Sequence, residues 1–128
     1  MKRCIDTCAY SLLMRGDATM QKLMEESEVL YIPTVVIGEL YSGFLAGNKC
    51  EQNIQQFEAF LDLPGVHIQP VTTGIAIRYA HIVKELRIAG APIPTNDVWI
   101  AATAQDLGAT LISCDKHFER ISGLLVNW

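Results

Sequence analysis

Short apolar runs alternate with segments of helical composition along the whole chain, and this alternation limits the folds open to it. The runs with strand character cover residues 2–6, 29–32, 66–69, 109–113 and 124–127. Strands separated by helices connect through right-handed crossovers into a sheet that carries helices on both faces. We therefore predict an α/β fold, a three-layer α/β/α sandwich with a mostly parallel sheet of about five strands.

The segments between these runs have the composition and end signals of helices. Helices are predicted over residues 7–15, 18–28, 34–46, 51–63, 73–88 and 95–107, with a short helical turn at 116–120. Thr34 and Thr95 are residue types suited to N-caps, and Gly90 and Gly108 are suited to helix ends. The alternation is thus continuous from one end of the sequence to the other.

Length and composition indicate one domain, residues 1–128, with enough apolar material for a sizeable core. Half of the 128 residues are apolar and only 19% are charged. No apolar run reaches the roughly 18 residues of a membrane-spanning helix. The start, MKRCIDTCAY, does not resemble a signal peptide, because Asp6 already interrupts its short apolar stretch. We expect a cytoplasmic protein.

The four cysteines, Cys4, Cys8, Cys50 and Cys114, are irregularly spaced. Zinc sites use paired spacings that this sequence lacks. Without secretory context we expect reduced thiols that pack as small apolar side chains. Cys8 and Cys114 each lie near an acidic residue at a strand end and could be neighbours, but two inert thiols are the prediction.

Charge restricts the way in which this chain could handle nucleic acid. Ten basic residues stand against fourteen acidic ones, a net charge of −4. Proteins that bind a phosphate backbone by charge alone usually show the opposite balance. If the substrate is a phosphodiester, another source of positive charge is required.

Four acidic residues could provide a site for that charge. Asp6 and Asp115 follow predicted strands, and such strand ends carry the functional groups of parallel sheets. Each could equally be a plain helix N-cap. Asp97 lies in the first turn of a helix, on a face of small residues that favours an inward orientation. Glu39 lies beside an apolar helix face, where it is either paired, metal-bound or solvated at the edge.

Together the four acids suggest more than each does alone. Carboxylates that converge in a small space repel one another, so they share protons or hold a cation. Oxygen ligands without a His or Cys cluster favour Mg²⁺ or Mn²⁺ over zinc. Such an ion would attract a phosphodiester to an acidic protein and would assist its hydrolysis.

Four segments resemble the PIN-domain family, and most closely its VapC-type toxin ribonucleases from bacterial toxin–antitoxin pairs. The matching segments are IDTCAYSLL, IPTVVIGELYSGF, IPTNDVWIAATAQDLGATLIS and CDKHFERISGL. The resemblance implies a Mg²⁺-dependent endoribonuclease in which Mn²⁺ substitutes. The residues that it implies as catalytic and metal-binding are Asp6, Glu39, Asp97 and Asp115, with Thr7, Asn96 and Ser113 as supporting polar groups. Cys8 departs from the Asn or Ser that is common after Asp-Thr in the family.

The same resemblance implies partners and products. It implies an RNA substrate cleaved to a 5′-phosphate and a 3′-hydroxyl, a cognate antitoxin protein that blocks the acidic pocket, and a homodimer. A mechanism through the 2′-hydroxyl of RNA would normally need a His or Lys base. The three histidines, His67, His81 and His117, show no obvious pairing with such a partner.

Competing functions differ in what the sequence lacks. Haloacid-dehalogenase phosphatases need a second Asp two residues after the first, where this chain has Cys8. Phospho-receiver domains need an adjacent acidic pair, which is also missing. A catalytically inactive PIN-fold module that binds RNA or protein remains as the alternative, although all four acids are present.

Overall fold

A computed structural model describes all 128 residues, and a five-stranded sheet runs through its centre. Every strand pairs in parallel with its neighbours, in the order β3-β2-β1-β4-β5. The strands are β1 (Lys2–Ile5), β2 (Val29–Pro33), β3 (Val66–Gln69), β4 (Thr110–Ile112) and β5 (Val126–Asn127). The predicted parallel sheet is confirmed.

Six α-helices and one 3₁₀ helix connect the strands. They are α1 (Thr7–Met14), α2 (Ala18–Glu25), α3 (Thr34–Ala46), α4 (Cys50–Leu61), α5 (Thr73–Ala89), α6 (Thr95–Leu107) and the 3₁₀ helix Lys116–Arg120. The crossovers that contain α1 to α4 step in one direction across the sheet, and the crossover with α5 and α6 steps back. Right-handed connections therefore place these two groups on opposite faces, which gives the expected three layers.

The direction of the strand order reverses between β1 and β4. The chain moves outward from β1 to β2 and β3, then returns to add β4 and β5 on the other side. In sheets of this kind, ligands bind in the crevice outside the carboxyl ends of the strands at the reversal point. Asp6 directly follows β1, and Asp115 lies three residues after the end of β4.

The core is a single cluster of 24 buried apolar residues that spans the sheet and both helix layers. On one face Phe57 contacts Tyr10 edge to face, with ring centroids 5.3 Å apart. On the other face Tyr79 of α5 stacks on Trp99 of α6 at 3.8 Å. None of the helices combines the length and apolarity needed to cross a bilayer.

Arg3 joins elements at the amino end of the central strand. Its side chain is 6% exposed. It donates hydrogen bonds to Asn127 Oδ1 at 3.1 Å, to the Leu23 carbonyl at 3.2 Å and to Ser27 Oγ at 3.0 Å. A buried charge is costly unless its donors are satisfied, and here three neutral acceptors on α2, β5 and the turn after α2 satisfy them.

Several predicted element ends are wrong by a few residues. Thr34 and Thr95 are not N-caps, because Pro33 and Pro94 occupy the cap positions and each threonine is already helical. Neither helix has a side-chain cap hydrogen bond. The larger remaining differences are that α2 ends at 25 rather than 28, α4 covers 50–61 rather than 51–63, and β5 begins at 126 rather than 124, while the other bounds agree within one residue.

Candidate metal centre

Asp6 is the most deeply buried acid of the site. It caps α1, where its Oδ1 accepts a hydrogen bond from the Ala9 amide at 2.8 Å. Its Oδ2 accepts a hydrogen bond from Ser113 Oγ, which lies just beyond the end of the neighbouring strand β4. Asp6 therefore has both predicted roles, because its carboxylate caps a helix and also lies among the polar groups at the strand ends.

Burial raises the pKa of Asp6 to about 6 from its ordinary 3.8. The hydrogen bonds from Ser113 and Ala9 lower it, while the nearby charges of Asp97 and Asp115 raise it further. An acid that is 3% exposed and surrounded by like charges is short of positive charge in its environment. A bound cation would supply that charge.

Asp97 lies in the first turn of α6 and points inward, as its face of small residues predicts. Ala101 and Ala104, on the same face, are fully buried. Burial raises the pKa of Asp97, and the charges of Asp115 and Glu39 act in the same direction. The contact with His117 opposes this effect.

Glu39 and Asp115 complete the group from two further elements. Glu39, on α3, accepts a hydrogen bond from Thr7 Oγ1 at 2.8 Å. Because Glu39 is paired with this hydroxyl, it is not merely a solvated acid at the helix edge. Asp115 caps the 3₁₀ helix by accepting from the His117 amide at 2.9 Å, and its own amide donates to Ser113 Oγ at 2.9 Å.

The four acids line one cavity at the reversal point of the sheet. No lysine or arginine lines this cavity of about 270 Å³, whose lining residues are Asp6, Thr7, Cys8, Ser11, Glu39, Asp97, Ile100 and Asp115. We call it the acidic pocket. Its donor set consists of carboxylate and hydroxyl oxygens, which suits a hard divalent ion such as Mg²⁺ or Mn²⁺.

The supporting polar residues occupy two different kinds of position. Thr7 and Ser113 each bind a carboxylate of the pocket, so they orient acids. Asn96 is exposed and lines adjoining cavities with Glu39, outside the hydrogen-bonded group. Its placement makes it available to a bound molecule rather than to the carboxylates.

His117 was missed by the sequence reasoning, which found no partner for any histidine. Its Nδ1 lies 3.0 Å from Asp115 Oδ1 and 3.3 Å from Asp97 Oδ2. Ligand atoms of these three residues all lie within 4.8 Å of one another. The available signal was its position two residues after Asp115, inside the turn that this acid caps.

The expectation of inert thiols at Cys8 and Cys114 is also wrong. The two residues form a disulfide, with Cα atoms 6.0 Å apart. Cys4 is a free buried cysteine, as expected of a small apolar side chain, and Cys50 is free and half-buried. The disulfide joins the first turn of α1 to the segment that follows β4, where Cys114 lies between Ser113 and Asp115.

Comparison with known proteins agrees with this geometry. The family model of the PIN domain matches residues 3–124. Ribonuclease VapC2 of Rickettsia felis is 29% identical over 125 residues, which cover 94% of this chain and 92% of the relative. Ribonuclease VapC1 of the same organism is 31% identical over 129 residues, covering 95% and 92%.

A solved structure extends the likeness to three dimensions. VapBC-1 from nontypeable Haemophilus influenzae superposes with a TM-score of 0.85 and 26% identity, over 99% of this chain and 97% of that one. The match includes every strand and helix that carries an acid of the pocket. The chain therefore belongs to the PIN domain family and, within it, is of the VapC type.

Proposed function

We propose that this protein is a divalent-metal-dependent endoribonuclease that hydrolyses phosphodiester bonds in RNA, with Mg²⁺ as its ion. The observation that carries the proposal is the convergence of four carboxylates, from four separate elements, on a pocket that no lysine or arginine lines. Relatives of similar length named as VapC ribonucleases support the substrate class. The net charge of −4 agrees with a bound ion, rather than the surface, attracting the phosphate.

Asp6, Glu39, Asp97 and Asp115 would hold the ion. A divalent ion there supplies Lewis acidity toward a phosphodiester and lowers the pKa of a coordinated water. The protein's part is to keep the acids in place before substrate arrives. Ser113 fixes one oxygen of Asp6, and Thr7 fixes one oxygen of Glu39.

The remaining residues of the site face the substrate side. A half-exposed Asp115 can accept a hydrogen bond from an attacking water, because only its Oδ1 is engaged within the protein. Asn96 is exposed beside Glu39 and can donate its amide to a phosphate oxygen. Products with a 5′-phosphate and a 3′-hydroxyl are part of this proposal.

We further propose two protein partners. A similar solved structure, VapBC-5 from Mycobacterium tuberculosis, is described as a member of the VapBC family of toxin–antitoxin systems. A cognate antitoxin with a basic segment would be complementary to the acidic pocket. A homodimer would bring two such pockets together, and sedimentation across a wide concentration range tests it: a 14.2 kDa species throughout would contradict the dimer.

Cleavage of a labelled RNA with Mg²⁺ tests the activity. We expect Asp6→Asn and Asp97→Asn to reduce the rate by on the order of 10³-fold or more, since each removes part of an ion site that contributes several kcal/mol. EDTA should abolish cleavage by the unmodified protein. Asp17→Asn is the matched control, because Asp17 also caps a helix but lies outside the pocket.

The contrary results are equally definite. Cleavage that survives EDTA and both pocket substitutions would falsify the metal-dependent mechanism. A well-folded protein that cleaves no RNA and shows no Mn²⁺-linked rise in melting temperature would instead be the inactive binding module.

A further inference from the structure

The disulfide between Cys8 and Cys114 lies at the wall of the acidic pocket. Its two halves are 106 residues apart in sequence. Cys8 lines the pocket itself, one residue after Thr7, and Cys114 lies between Ser113 and Asp115. Both cysteines are half-buried, so small thiol reagents can reach them.

We propose that Cys8 and Cys114 form a reversible redox site whose oxidised, cross-linked state holds the acidic pocket in its assembled geometry. Disulfides in reducing compartments are mostly transient and redox-sensing, which suits a bond placed beside a site of chemistry rather than within a core. The consequence for metal binding rests on the proposed function. The existence of the redox pair does not depend on the proposed function.

The disulfide links two chain segments at the point where they separate after the paired strands β1 and β4. Backbone pairing of β1 with β4 ends at Ile5 and Ile112, followed by one bond from the Asp6 amide to the Ile112 carbonyl. Beyond this point the two chains diverge into α1 and the 3₁₀ helix. The disulfide is the covalent tie across the divergence.

Like charges on the two sides of the divergence oppose its closure. Asp6 is on the β1 side and Asp115 is on the β4 side, and the Asp115 charge raises the pKa of Asp6. The hydrogen bond from Ser113 to Asp6 is the main polar contact that resists this repulsion. Reduction would leave that contact as the only side-chain hydrogen bond between the two sides, so the segment of residues 113–120 should become more mobile.

The redox step balances with a small-molecule disulfide such as oxidised glutathione. One cysteine thiolate attacks it, forms a mixed disulfide and releases one glutathione thiol. The second cysteine then attacks the protein sulfur of the mixed disulfide and releases the second glutathione thiol. Two protein thiols thus lose two electrons and two protons, which leave as two molecules of reduced glutathione.

The first experiment follows the pair in the full-length protein. The protein is equilibrated with mixtures of oxidised and reduced glutathione in EDTA, alkylated, and mapped by mass spectrometry. We expect the Cys8 and Cys114 peptides to lose alkylation together and to appear as one linked peptide. Cys50, in the same samples, should remain alkylatable or carry glutathione. The Cys50→Ser variant should give the same transition.

The second experiment measures the consequence. Hydrogen exchange of residues 113–120 should be slower in the oxidised protein than after reduction with a phosphine, and Mn²⁺ should bind on the order of 10-fold more tightly, as expected when the groups that orient ligands are held. A Cys8→Ser, Cys114→Ser double variant should match the reduced protein under both conditions. Oxidised and reduced wild-type protein give the comparison even if this variant does not fold.

Two results would overturn the proposal. One is that Cys8 and Cys114 stay fully alkylatable in oxidised glutathione, or react there only as separate mixed disulfides. The other is a complete cross-link that changes neither hydrogen exchange at 113–120 nor Mn²⁺ affinity. Failure of both redox forms to bind Mn²⁺ would contradict the proposed metal site instead. The glutathione titration in EDTA and the hydrogen exchange of residues 113–120 would then decide the redox site alone.

Discussion

Asp6 and Asp17 have the same local role but very different surroundings. Each caps a helix, and each accepts a hydrogen bond from the amide three residues later, at 2.8 Å for Asp6 and 3.0 Å for Asp17. Asp17 lies half-exposed in the turn between α1 and α2. Asp6 is 3% exposed and faces three other acids.

The comparison shows that Asp6 joins a cluster of acids because of its position in the sheet and not because it is a helix N-cap. The sequence around either aspartate is adequate for an N-cap. Only Asp6 lies where the strand order reverses, so only Asp6 meets acids delivered by α3, α6 and the segment after β4. A buried acid in such company favours a cation, whereas an isolated cap does not.

After the acids themselves, the largest expected effect concerns Thr7, whose hydroxyl orients an acid of the pocket. Thr7→Val removes the donor to Glu39 Oε1 while preserving side-chain shape. We expect Mn²⁺ affinity, measured by calorimetry, to fall by about 10- to 100-fold. Thr95→Val is the control, since Thr95 is exposed and makes no cap hydrogen bond. Equal affinity in the two variants would show that Glu39 needs no orienting partner.

A pH effect is expected from Asp6 in metal-free protein. The pKa of Asp6 is raised to about 6, so the folded state binds its proton more tightly than the unfolded state does. This contribution to stability is complete below about 3.8 and is lost as pH rises through about 6. Between pH 5 and pH 7.5 we expect the free energy of unfolding to fall by about 1.5 kcal/mol through Asp6.

Urea unfolding in EDTA measures this pH effect. Asp6→Asn should remove most of the Asp6 contribution and should be at least as stable as wild type at pH 7.5, because the amide can still cap α1 without carrying a charge. A pH dependence that is unchanged in Asp6→Asn would contradict the assignment of the buried charge.

A smaller effect is expected for Asp17, which caps α2 but does not line the acidic pocket. Asp17→Ala removes the acceptor for the Met20 amide and should cost about 1 kcal/mol of unfolding free energy. Mn²⁺ affinity should stay at the wild-type value, because no acid of the pocket contacts this turn. Denaturant unfolding and Mn²⁺ titration of the same preparation measure the stability loss and the metal affinity. Weakened Mn²⁺ binding would contradict the claim that Asp17 is separate from the acidic pocket.

The smallest effect is expected for surface charge on the Asp17 side. Lys22 and Glu26 form an exposed pair 3.9 Å apart on and just after α2. Exposed pairs of this spacing contribute less than about 0.5 kcal/mol. Lys22→Ala should therefore leave the urea midpoint nearly unchanged, and a loss well above this value would mean that the Asp17 region is not a simple solvated surface.

The sequence predicts the fold well because its main signals are local. Apolar runs and glycine ends located all five strands and six helices within a few residues. The N-caps at Thr34 and Thr95 are wrong because proline in extended backbone already precedes each helix. The predicted strand at 124–127 is too long, because Gly123 makes a turn with φ 77° and Leu124 and Leu125 follow it before pairing begins at Val126.

The site was predictable in part. Strand-end positions indicated Asp6 and Asp115, and the small-residue face of α6 indicated an inward Asp97. The partners of these acids depend on contacts between distant segments. His117 reaches Asp97 across 20 residues, a separation at which periodicity carries no signal. The strand-end positions of Cys8 and Cys114 indicated that they could be neighbours, but not that they form a bonded pair.

The central claim is that convergent carboxylates, rather than capping acids as such, hold one hard divalent ion. Calorimetric titration of Mn²⁺ into wild-type, Asp6→Asn and Asp17→Asn proteins tests it most directly. We predict saturable binding by the wild type and by Asp17→Asn, and binding weaker by on the order of 100-fold or more in Asp6→Asn. No saturable binding by the wild type, or equal affinity in all three proteins, would contradict the account.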